Sequence, residues 1–193
     1  MKLRFWLISM AGAVAIIALG TAIFKQPYTF HGSLIEPPVR AADFLLSDQH
    51  GQLFQLGKQA GSVVLIYFGY TNCPDACPAA LARFKQVRAG LGAEAAATRF
   101  VLITVDPRND TPQRLTSYLE SFDPTFIGLT GSPYELQTVY QRYGIYQAAT
   151  TQGVDHTDRI YLVDKQGNLR LTYTADTTAA ELTRDVQQLH RGN

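Results

Sequence analysis

Cysteine is almost absent from this chain: the 193 residues hold two, Cys73 and Cys77. Two cysteines are too few for a disulfide framework, and a domain of this length needs none to fold. An excess of charge of either sign is lacking too, with 17 lysines and arginines against 16 aspartates and glutamates. Without Lys2, Arg4 and Lys25, residues 26–193 carry 14 basic and 16 acidic side chains, a net of −2. That balance excludes a nucleic-acid binder and a protein held to an anionic membrane surface by charge. Internal repeats are lacking as well, and the length suits one domain with a single core.

One long apolar run is present. Phe5 to Phe24 reads FWLISMAGAVAIIALGTAIF and contains no charged residue. Twenty such residues match the hydrocarbon core of a bilayer, roughly 30 Å thick. Lys2 and Arg4 precede the run, which predicts a cytoplasmic N-terminus and a remainder outside the cytoplasm, in the periplasm of a bacterial inner membrane. A cleaved signal peptide, with Leu19-Gly20-Thr21-Ala22 as its small-residue site, is the alternative; its apolar region is normally only about 7–15 residues long. No cysteine follows closely, which excludes a lipid-modified N-terminal cysteine, and the segment lacks the Arg- and Ser-rich look of a transit peptide. The expected organisation is a membrane anchor at 1–25, a proline-bearing tether at 26–40 and a folded domain at 41–193.

The centre of the chain is Val63 to Pro78, VVLIYFGYTNCPDACP. Its first six residues are a continuous apolar run between Gly61-Ser62 and Gly69, the pattern of a strand buried on both faces. Ala79 to Leu91 is rich in helix formers with apolar residues at helical spacing. The cysteines therefore sit where a buried strand gives way to a helix, with Pro74 suited to a first helical turn. The partial positive charge of a helix N-terminus favours a thiolate. Helical i and i+4 positions share a face, so both sulfurs can point at one ion or approach each other as a disulfide. Two buried, inert cysteines are the bland alternative, which the polar, proline-flanked setting disfavours.

The rest of the chain reads in order. Phe44 to Leu46 and Leu53 to Leu56 flank Asp48-Gln49-His50-Gly51, a hairpin signal in which Gly51 is free to take positive φ. His50 at the tip and His31 in the tether read as solvated residues. Arg99 to Val105 is a second continuous apolar strand, and Thr111-Pro112 open a helix through Phe122. Asp106 and Asp110 read as loop and cap chemistry rather than as neighbours of the cysteines. Thr125 to Leu129 is a short strand, Ser132-Pro133 open a helix to about Tyr143, and Gly144 stops it. Ile145 to Gly153 has no period and reads as a loop. Val154-Asp155-His156-Thr157-Asp158 then precede the strand Arg159 to Val163, whose hairpin partner is Leu169 to Thr174. A helix from Thr178 to Leu189 ends the pattern, with His190 favourable to its dipole. Of the four histidines, His156 alone lies just before a strand, where a parallel sheet would bring it to the crevice that holds the cysteines. Asp155 and Asp158 flank it and are placed to orient the ring, as carboxylates beside metal-ligating histidines do.

This order of elements resembles an α/β, thioredoxin-like fold: a central mixed sheet flanked by helices, with an N-terminal hairpin, preceded by one transmembrane helix. The reactive cysteines of that fold occupy the first strand-to-helix turn, where Cys73 lies. Tyr67 to Pro78 (YFGYTNCPDACP), Val105 to Pro112 (VDPRNDTP) and Val154 to Asp164 (VDHTDRIYLVD) further resemble the Sco/SenC family of membrane-anchored copper proteins, over nearly the whole chain. The resemblance implies copper as Cu(I) and Cu(II), held by Cys73, Cys77 and His156. It implies a chaperone, not an enzyme, for the copper centre of a respiratory terminal oxidase. The implied partners are the oxidase subunit carrying that centre, a copper donor protein and a thiol reductant. One stretch departs from the family: Gln147 to Gly153 lacks the acidic, Tyr-containing run that many members carry there. Donor chemistry agrees independently, because thiolates select Cu(I) and an added imidazole makes Cu(II) tolerable; zinc fits the same donors on geometry alone. The rival functions are a thiol–disulfide oxidoreductase that keeps the oxidase cysteines reduced, and a redox sensor using a Cys73–Cys77 disulfide. General oxidoreductases of this fold carry a cis-proline before a late strand, whereas here the last proline is Pro133 and His156 stands in that region. The peroxidase pattern Pro-x-x-x-Thr-x-x-Cys is absent before Cys73.

Overall fold

The computed structural model describes residues 28–150 and 153–192. The anchor expected at residues 5–24 lies outside the described residues; among these, no helix is long and apolar enough to cross a membrane.

The scaffold grows from the two runs of apolar residues. Val63–Gly69 (β4) is buried along its whole length, and Thr98–Thr104 (β5) pairs with it in parallel, from Val63↔Thr98 to Gly69↔Thr104. Ile127–Thr130 (β6) extends the parallel set beyond β5. Leu45–Asp48 (β2) and Leu53–Gln55 (β3) form the expected hairpin, with Gly51 at φ 78° and His50 exposed at the tip; β2 pairs antiparallel with β6. On the other side of β4, Ile160–Val163 (β9) and Asn168–Tyr173 (β10) add two antiparallel strands. With Ser33–Arg40 (β1) against β10, the mixed sheet has eight strands in the order β1-β10-β9-β4-β5-β6-β2-β3.

Four helices follow the expected patterns: Ala76–Leu91 (α1), Pro112–Glu120 (α2), Pro133–Tyr143 (α3) and Ala179–Arg191 (α4). The Thr111 side chain caps α2, and capping boxes at Ser132 and Thr178 start α3 and α4. Gly144, left-handed at φ 64°, ends α3. α1 buries Cys77, Ala80, Leu81, Phe84, Val87 and Leu91 and packs against α4.

Two elements correct the sequence reading. Residues 33–40, expected within the tether, are the edge strand β1. Pro37 and Pro38 hid its period, and an edge strand tolerates prolines because one side of it needs no ladder bonds. His31 is correspondingly no solvated tether residue. Buried Asp185 of α4 receives the His31 and Gly32 backbone N–H groups and the Tyr28 and Tyr173 hydroxyls, and lies 2.8 Å from His31 Nδ1. The folded domain therefore begins by Tyr28, not at residue 41. Residues 145–153, expected as a loop, include Gln147–Thr150 (β7), which pairs with Gly153–His156 (β8) as a separate two-stranded ribbon. Neither QAAT nor GVDH alternates apolar and polar residues, the signal by which a strand is read.

Candidate metal centre

Gly69 is the last residue of β4, and the chain has no room there for a side chain. A Cβ on Gly69 would stand 2.9 Å from Cys77 Sγ and 2.7 Å from the Tyr67 ring. The turn that follows carries Cys73, which lies outside α1. Cys73 precedes Pro74, whose ring disfavours helical backbone in the residue before it. The helix starts at Ala76 after Asp75, with Pro78 rather than Pro74 in its first turn. The two cysteines thus do not share a helical face as the spacing suggested. They meet because Cys73 Sγ accepts the Cys77 backbone N–H at 3.4 Å, in place of a side-chain cap.

Both cysteines are free thiols, Cys73 half-buried and Cys77 fully buried. The expected lowering of thiol pKa by the helix N-terminus fails at Cys77. Burial pushes that thiol up to about 12, outweighing the Tyr70 N–H that points at its sulfur from 3.5 Å.

His156 reaches this pair from across the sheet. Its Nε2 lies 3.9 Å from Cys77 Sγ. Its Nδ1 lies 3.1 Å from the Thr157 carbonyl, which can only accept, so Nδ1 carries the proton and Nε2 presents a lone pair to the sulfur. The pairing that brings it there is antiparallel, not the parallel one expected. β9 runs antiparallel to β4, with Tyr67 opposite Ile160, so residues just before β9 lie past the carboxyl end of β4, beside the cysteines. A parallel β9 would have left His156 at the far edge. Thr157 secures the base of the β7–β8 ribbon through its backbone N–H to the Tyr146 carbonyl and its hydroxyl from the Tyr146 N–H.

The flanking carboxylates do not orient the imidazole as expected. Asp155 is exposed on β8, and the Nδ1 partner is the Thr157 carbonyl. Asp158 instead accepts the buried Tyr67 hydroxyl at 3.0 Å, and that hydroxyl stands 3.9 Å from Cys77 Sγ. Burial raises the Tyr70 pKa, and the Cys73 side chain and the backbone of Val154 lie close enough to act on its hydroxyl. The rings of Tyr67 and Tyr70 both meet the His156 ring edge-on, at 6.2 and 5.8 Å.

Asp106 remains in loop chemistry, bonded to Asn109, but sequence reasoning missed Asp110. That carboxylate is buried and accepts from Thr71 N–H, Thr71 Oγ1 and Thr104 Oγ1, which ties the cysteine turn to the end of β5. Burial raises its pKa despite those donors. A signal existed in the sequence: Thr111 already fills the cap position, which leaves Asp110 no local task.

Among the described residues, no three of His, Cys, Asp and Glu already converge at ligand distance of one point. Two donors do face each other. A sulfur and a nitrogen bound to one ion at about 2.3 and about 2.0–2.1 Å stand about 3.5–3.8 Å apart at tetrahedral to trigonal angles. Cys77 and His156, at 3.9 Å, nearly meet that requirement. The Cys73 sulfur is their neighbour, 3.4 Å from the Cys77 backbone N–H.

The SCO1/SenC family model matches residues 34–191. A SCO2-like protein of Rickettsia prowazekii is 32% identical over 184 residues, covering 91% of this chain and 89% of its own. The copper-bound structure of Bradyrhizobium japonicum ScoI is 35% identical with a TM-score of 0.71, over 78% of this chain and 99% of its own. BsSco, described as carrying a disulfide switch and as a member of the Sco family of cytochrome c oxidase assembly proteins, is 25% identical with a TM-score of 0.68, over 81% and 96% of the two chains. The thioredoxin-like α/β architecture, the cysteine turn and the match along nearly the whole described domain lead to one conclusion: the chain belongs to the SCO1/SenC family.

Proposed function

We propose that this protein is a membrane-anchored copper carrier that binds copper through Cys73, Cys77 and His156 and delivers it to the copper centre of a respiratory terminal oxidase. It acts as a carrier and not as an enzyme. Residues 5–24 span the membrane with the N-terminus cytoplasmic and the domain periplasmic. The observation that carries the reading is the Nε2 lone pair of His156, aimed at the Cys77 sulfur from 3.9 Å because Nδ1 is committed to the Thr157 carbonyl. The copper bound by the Bradyrhizobium relative and the oxidase-assembly role named for BsSco support it.

The chemistry suits a carrier. Two sulfurs hold Cu(I), and the imidazole extends the site to Cu(II). Three protein donors leave one position for a group of the recipient. The half-buried Cys73 is the sulfur a partner can reach, while Cys77 is enclosed by Tyr67, Gly69 and His156. A Cys73–Cys77 disulfide withdraws both sulfur donors, so a thiol reductant must act before a copper donor does.

The test is metal stoichiometry and spectroscopy on the reduced chain. Wild type binds both oxidation states. Cys73→Ala and Cys77→Ala lose both, whereas His156→Ala retains Cu(I) and loses the thiolate-to-Cu(II) absorption and its EPR signal. An unchanged Cu(II) spectrum in His156→Ala, or full copper binding by the oxidised chain, overturns the ligand set.

A further inference from the structure

The hydroxyl of Tyr67 has two acceptors and one proton. It is wholly buried in β4, donates to Asp158 Oδ1 at 3.0 Å and stands 3.9 Å from Cys77 Sγ, at the outer edge of hydrogen-bond distance for sulfur. A carboxylate is the stronger acceptor, so Asp158 holds the hydroxyl and the sulfur receives what is left. Asp158 is half-buried and lines a cleft with Asp75 and Arg83, while Tyr67 has no exposure. The other sulfur is served differently: Cys73 Sγ accepts the Cys77 N–H at 3.4 Å.

We propose that Tyr67 and Asp158 are a tuning pair for Cys77: the shared hydroxyl stabilises the reduced sulfur, and Asp158 sets how much of that donor the sulfur receives. Both act on the thiol as positioning residues, without themselves ligating metal. The inference deepens the copper-carrier reading, because donors to a ligating sulfur tune the metal it holds, yet its test requires no metal.

The metal-free full-length chain, in detergent, is equilibrated with mixtures of reduced and oxidised dithiothreitol. The reagent's two thiols transfer two electrons and two protons to the Cys73–Cys77 bond, giving two protein thiols and the cyclic disulfide. Alkylation and mass spectrometry read the ratio. Tyr67→Phe lowers the equilibrium constant for reduction about two- to threefold, a fraction of the worth of one full hydrogen bond, or about 9–14 mV for a two-electron couple. Asp158→Ala raises it by a similar factor, because the hydroxyl then turns to the sulfur alone. The double variant behaves as Tyr67→Phe, since Asp158 acts only through Tyr67. Shifts of the two single variants in the same direction overturn the proposal, as does an Asp158→Ala effect that persists in the Tyr67→Phe background, the mark of a direct charge effect. Asp158→Asn keeps an acceptor oxygen and shifts the ratio less than Asp158→Ala. An equal shift overturns the pair, and this arm stands even where Tyr67→Phe does not fold. A chain that fails to bind copper leaves every one of these ratios measurable, so the two readings fail separately.

Discussion

Gly69→Ala separates the site from the fold with a single methyl group. The added Cβ would stand 2.7 Å from Tyr67 Cε1, 2.9 Å from Cys77 Sγ and 3.2 Å from Leu102 Cδ1. The backbone cannot give way easily: Gly69 lies opposite Thr104 in the β4–β5 ladder, and its carbonyl accepts Val105 N–H at 2.9 Å. The Tyr67 ring is fully buried and its hydroxyl is held by Asp158. The sulfur is the group that moves most cheaply, because one torsion carries it to another staggered rotamer. That rotation takes it away from His156 Nε2. Overpacking of this kind costs about 1–3 kcal/mol, which a domain stable by about 5–15 kcal/mol survives. At about 2–4 °C per kcal/mol for a chain of this size, the melting temperature falls by about 2–12 °C. Copper binding suffers more, by about 10–100-fold, as when the groups supporting a metal ligand are disturbed. Thermal unfolding followed by circular dichroism, together with a copper titration of the reduced chain, measures both. Wild-type melting with wild-type copper affinity would show that the Gly69–Cys77 contact does not position the sulfur.

Three further outcomes are expected. Asp110→Ala leaves the Thr71 N–H and the Thr71 and Thr104 hydroxyls without their buried acceptor, costs about 1–3 kcal/mol and exposes the 71–75 turn to proteolysis; an unchanged urea midpoint and digestion pattern contradict this. His190, whose Nε2 lies 2.9 Å from Thr98 Oγ1, has its pKa lowered by burial. The unfolded chain therefore takes up that proton more readily than the folded one, and stability declines as pH falls through about 6.5. Urea midpoints at pH 5 and 7.5 should differ less in His190→Gln than in wild type, and an equal difference removes His190 from the account. A reporter fused after Asn193 should be active only where periplasmic reporters work; cytoplasmic activity refutes the proposed orientation.

Local chemistry was legible in the sequence because its causes are local. Continuous apolar runs marked β4 and β5, and Thr111-Pro112, Ser132-Pro133 and Gly144 marked helix ends that interact only with their own turns. The residues of the proposed copper site, Cys73, Cys77 and His156, could also be named from the sequence, since few side chains offer thiolate or imidazole donors in such settings. Elements without a periodic signature were misread. β1 was hidden by its prolines, and the β7–β8 ribbon by its lack of apolar–polar alternation. Tertiary structure alone decided how the pieces meet. The antiparallel choice of β9, not visible in its composition, brings His156 to Cys77 across a sequence separation of 79 residues. Burial, which belongs to the assembled core, overrode the helix N-terminus at Cys77 and gave Asp110 and Tyr67 their partners. A sequence fixes which groups a chain can offer and where its turns and helices begin. Their separation in space, and hence their acidity and their joint use of one ion, depends on long-range packing that no local pattern records.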